Sequence, residues 1–93
     1  MARYITLIRF TEQGARAVGK STARALAFRQ AAEKEGVKVE TQLWTAGSFD
    51  GVLVLSGDEK KILGCLARLA AEGNVRTESL RAFDAEEFKS IAG

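Results

Sequence analysis

LWTAGSFDGVLVLS, residues 43–56, is the stretch whose reading decides the fold. One apolar strand ends in Leu43 and Trp44, a short turn passes through Gly47, and a second strand begins at Phe49. In the second strand Phe49, Gly51, Leu53 and Leu55 point one way, while Val52 and Val54 point the other behind Asp50. A strand that is apolar on both faces belongs in the middle of a sheet and must be covered on each side.

Upstream, residues 37–45 alternate. Val37, Val39, Thr41 and Leu43 form one face, and Lys38, Glu40, Gln42 and Trp44 form a wet one on which Trp44 is the odd member. Gly36 is placed to end a preceding helix as a left-handed cap. That helix runs over residues 15–35, with Val18, Ala25, Phe28 and Ala32 sharing one stripe. Before it, residues 3–10 alternate with large apolar side chains in both sets, again a strand with no plainly solvated face. Downstream, Asp58 caps a second helix whose stripe is Ile62, Leu63, Leu66, Leu69 and Ala70, with Gly73 closing it. Residues 74–83 read as a strand bearing Arg76, Glu78 and Arg81, a charge load typical of a sheet edge. Asp84 and Glu87 have capping-box spacing, so residues 85–92 form a short helix anchored by Phe88 and Ile91.

The order strand, helix, strand, strand, helix, strand, helix is the split β-α-β pattern. The fold class is α+β, ferredoxin-like βαββαβ: a four-stranded antiparallel sheet, two long helices on one face and a short C-terminal helix. The chain has 93 residues and reads as one domain spanning 1–93. Both long helices lie on one face, so Val52 and Val54 sit on a face with no cover from their own chain. Such a face marks an interface. The expected partner is a second copy, with a two-fold dimer preferred and a trimer as the alternative.

Composition removes whole classes of chemistry. No histidine is present, which excludes Ser-His-Asp and Cys-His catalysis and argues against haem ligation. Cys65 is the only cysteine, so no disulfide forms within the chain and the cytoplasm is the expected compartment. Net charge is +2 and the basic residues form no run, so nucleic-acid binding ranks last. No apolar run approaches a membrane span. No metal site or cofactor is indicated.

The segments YITLIRFTEQG, AEKEGVKVETQLWTAGSFD and GNVRTESLRAF together resemble the GYD-domain family over nearly the whole chain. At the family's Gly-Tyr-Asp signature this sequence has Ser48, Phe49 and Asp50: the aspartate is kept, the glycine is replaced and the phenolic hydroxyl is missing. The resemblance implies a self-associating ferredoxin-like domain and no particular chemistry.

Two constellations stand out. GARAVGKS, residues 14–21, matches the phosphate-loop pattern G-x-x-x-x-G-K-[ST]. A nucleotide-binding domain of that kind needs a parallel sheet with several crossovers, for which the chain is too short. The match therefore reads as accidental, leaving at most an anion seat at Arg16 and Lys20. The second group is Trp44, Phe49, Asp50, Asn74, Arg76 and Glu78, with Arg9 near the end of the first strand. If these residues meet at the open face, they form an aromatic wall with mixed charge, as small-ligand sites do. The plainer reading has Asp50 capping the turn, Arg76 pairing with Glu78 or across an oligomer, and Trp44 filling an interface.

Three functions compete. The first is an oligomeric small-molecule-binding or assembly module with its pocket at the open sheet face, taking a small anionic or aromatic metabolite. Arg76 or Arg9 would grip the anion and Trp44 or Phe49 would stack. The second, by fold analogy, is a cofactor-free oxygenase-type enzyme with Trp44 and Asn74 as its polar-aromatic pair and Asp50 or Glu78 as base. The third is single-stranded nucleic-acid binding on the sheet, for which the expected aromatic pair is missing.

Overall fold

A computed structural model describes all residues, 1–93. The strands are β1 (Ala2–Phe10), β2 (Lys38–Trp44), β3 (Gly51–Gly57) and β4 (Val75–Arg81), and the helices are α1 (Glu12–Arg16), α2 (Ser21–Lys34), α3 (Glu59–Ala71) and α4 (Ala85–Ala92). The sheet is antiparallel throughout with order β2-β3-β1-β4, so β1 and β3 are central as expected. This is the ferredoxin-like α+β arrangement.

Local chemistry explains most boundaries. The Asp58 carboxylate accepts from Lys61 N–H at the start of α3, and Asp84 with Glu87 completes the capping box of α4. Gly36 and Gly73 both take φ of 81°, where a side chain would be strained, and close α2 and α3. The core is Ala2, Ala32, Val37, Val39, Leu53, Leu55, Ile62, Cys65 and Leu66, between the sheet and the α2–α3 layer.

Five details depart from the sequence pattern. The helix expected over residues 15–35 is three pieces: α1, a 3-10 turn over Val18–Lys20, and α2. Val18, assigned above to the buried stripe, is exposed. On α3, Leu63 and Ala70 of the expected stripe are exposed, and Cys65 takes an inward place. Phe88 and Ile91, expected to anchor α4, are 58% and 60% exposed, so α4 buries neither on its own chain.

The fifth departure changes which way a strand faces. The pairing of β2 with β3 jumps between Val39 and Thr41, leaving Glu40 unpaired in a bulge. An extra residue inverts the alternation beyond it. Val37 and Val39 face the helices as read, but beyond the bulge Gln42 and Trp44 do so, opposite Leu53 and Gly51. The Gln42 amide donates to the Ala25 carbonyl of α2 at 3.0 Å, which places it on that side. Thr41 and Leu43 join Val54 and Val52 on the open face.

Candidate functional site

Strand register maps the open face. One row crosses the sheet as Leu80, Ile5, Val54 and Thr41; the next runs Glu78, Leu7, Val52 and Leu43. At one end lie Arg76 and Arg9, partners across β4 and β1; at the other lie Arg3, Ser56 and Lys38. Two mostly apolar rows are thus bracketed by cations. Arg3 is compensated by Glu40 at 3.5 Å and by Glu87 of α4 at 3.7 Å. No carboxylate lies within ion-pair distance of Arg9 or Arg76, and Glu78 pairs with neither.

The sheet divides the sequence-predicted site into two. Arg9, Phe49, Arg76 and Glu78 belong to the open side. Trp44, Asp50 and Asn74 border a cleft on the opposite side, beneath α2. The seven residues do not all meet at the open face: the bulge in β2 sends Trp44 through to the helix layer, and Asp50 and Asn74 border the same cleft. Arg9 finds neither Glu78 nor Asp50 as partner. It lies over the Phe49 ring at 4.3 Å and donates from Nε to the Ser48 carbonyl at 3.0 Å.

Asp50 does cap the turn. Its carboxylate accepts from Phe10 N–H at 2.8 Å, its own N–H donates to the Ile8 carbonyl at 2.7 Å, and its carbonyl accepts from Thr45 N–H at 2.9 Å. Ser48, Phe49 and Asp50 therefore latch the β2–β3 turn onto the end of β1. Phe49 does this with its ring alone, so the missing hydroxyl costs the latch nothing.

The helix-side cleft is open to solvent along one side and has a volume of about 70 Å³. Its walls are apolar, with Phe10 from β1, Phe28 from α2, Trp44 from β2 and Leu69 from α3. Polar groups reach its border from Ser21, Arg24, Gln42, Asp50, Glu72 and Asn74. Arg24 is half-buried and donates to the Ala17 carbonyl at 2.9 Å and more weakly to Gly14 at 3.4 Å. Asn74 accepts at Oδ1 from Gln13 at 2.9 Å. Sequence reading missed Arg24 and Phe28 as site residues. Their only signal was helical spacing, which assigned Phe28 to the core and left Arg24 off the stripe.

The phosphate-loop lookalike has a structural explanation. Residues 14–21 form helical turns rather than a loop. Gly14 is buried beside the start of β4, where a Cβ would collide with the Asn74 carbonyl oxygen. Close backbone approach requires this glycine. No helix is long and apolar enough to cross a membrane.

Comparison with known proteins agrees with this architecture. The GYD domain family model matches residues 4–92. The crystal structure of TTHA0845 from Thermus thermophilus is similar at 25% identity with a TM-score of 0.56, covering 91% of this chain and 96% of that one. No curated protein matches.

Proposed function

The chain belongs to the GYD domain family, and from that premise we propose that it is a self-associating small-molecule-binding module of the cytoplasm. Two copies pack open face to open face, and each holds a ligand in its helix-side cleft. The observation that carries the proposal is the uncovered face itself: Ile5, Leu7, Val52 and Val54 lie side by side on the central strands, with exposed Leu43 and Leu80 on the edges. An apolar centre inside a charged rim is the anatomy of a protein interface. A two-fold arrangement suits it because the same patch serves both copies. Sedimentation of the purified chain is expected to give twice the monomer mass, and Val54→Asp to give a folded monomer. A wild-type chain that sediments as a monomer at tens of micromolar overturns the assembly.

A second reading has one observation in its favour. Trp44 and Asn74, the pair named for oxygenase-type chemistry, border the same cleft. That chemistry rests on fold analogy. Oxygen uptake in the presence of cleft ligands separates a catalyst from a binder.

A further inference from the structure

We infer that the cleft beneath α2 selects single-ring aromatic carboxylates, with the ring against Phe28 and Trp44 and the carboxylate on Arg24. This rests on the proposal that the cleft is a ligand seat and goes further by naming the ligand class.

Size comes first. The cleft volume of about 70 Å³ is about half the roughly 150 Å³ of an engineered apolar cavity that accepts benzene. A single ring therefore enters partway, and its substituent remains at the mouth among the polar groups.

The unspent hydrogen bonds then choose the substituent. Arg24 has five N–H donors, of which two are engaged by the Ala17 and Gly14 carbonyls. Those two contacts hold the guanidinium in place, and no carboxylate lies within ion-pair distance of it. A half-buried cation with no counter-charge is ready for an anion. The Asn74 side chain spends its oxygen on Gln13, which leaves its amide N–H groups as donors. On the acceptor side, one Asp50 oxygen is occupied by Phe10 N–H. The unspent N–H groups of Arg24 and Asn74 on one border of the cleft suit a ligand group that is acceptor-rich and negative. Asp50 and Glu72 border the same cleft, and they make an aromatic amine the competing chemistry.

Trp44 is the chain's only tryptophan and stands 48% exposed at the cleft, so its emission and its indole N–H resonance report the site directly. The purified chain is titrated into the millimolar range with benzoate, benzamide and benzylamine, three rings that differ in the charge and hydrogen bonding of one substituent. Benzoate is expected to bind about tenfold tighter than benzamide, the size of one charge-assisted hydrogen bond. Arg24→Gln is expected to erase that preference while benzamide binding persists. Arg24→Lys keeps a cation and should retain part of the preference, and Lys60→Gln should change nothing. Equal binding of benzoate and benzamide overturns the anion assignment while leaving the ligand seat intact. Tightest binding by benzylamine reverses its sign and overturns it too. If none of the three perturbs Trp44, both the ligand class and the ligand seat fall.

Discussion

Tyr4 is the chain's single tyrosine, and its hydroxyl donates to the Glu59 carboxylate at the start of α3. The Glu59 hydrogen bond first, then desolvation and the Glu59 charge, raise its pKa above the ordinary 10.0, with Arg81 pulling the other way. The folded chain therefore keeps the phenolic proton to higher pH than the unfolded chain does. The contact's contribution to stability is complete below the unfolded value and is lost as pH rises through the folded one. Absorbance titration of the lone phenol should give a midpoint above the ordinary 10.0, and Glu59→Gln should bring it back down. Other single residues show the limits of pattern. Asp50 was legible as a turn cap because it stands in the turn it caps. Gly14 was not legible as a packing glycine, since its neighbour Asn74 is sixty residues away in sequence. The phosphate-loop match over residues 14–21, set aside as accidental, offered no pointer to that contact.

Two helices with the same kind of start differ in what depends on them. α3 opens on Asp58 and buries Ile62, Cys65 and Leu66, whereas α4 opens on the Asp84 capping box and buries no residue. Removing either cap by an Asp→Ala change costs about 1 kcal/mol of local helix stability. For α3 that loss should appear in global unfolding, because its buried face is part of the core. For α4 it should appear as faster amide exchange in that helix with global unfolding unmoved. Denaturant melts of D58A and D84A alongside exchange measurements check both halves. Caps of this kind were readable from spacing alone, because Asp, its partner N–H and the helix start all lie within one helical turn. The break between α1 and α2 was not, because alanine-rich composition favours a helix throughout and cannot report where tertiary packing interrupts it.

The whole molecule is a slab of 47 × 30 × 18 Å with α2 and α3 on one side of its sheet. The exposed apolar residues of α4, Phe88 and Ile91, add to the uncovered surface, and Glu87 ties this helix to Arg3 of the open face. If two slabs close over each other, association contributes to stability by mass action. The melting temperature of the wild-type chain should then climb with protein concentration, while that of V54D should stay constant; differential scanning calorimetry over a wide concentration range decides it. The residue string alone was enough for the element order, the helix caps and the antiparallel sheet with its central pair, because each follows from alternation or capping among near neighbours. Folding was needed to assign the far half of β2 to its face, to send Trp44, Asp50 and Asn74 to one side of the sheet and Arg9, Phe49, Arg76 and Glu78 to the other, and to place the cleft beneath α2. The bulge at Glu40 exists only in the pairing of β2 with β3, and one unpaired residue there inverts every side chain that follows in the strand.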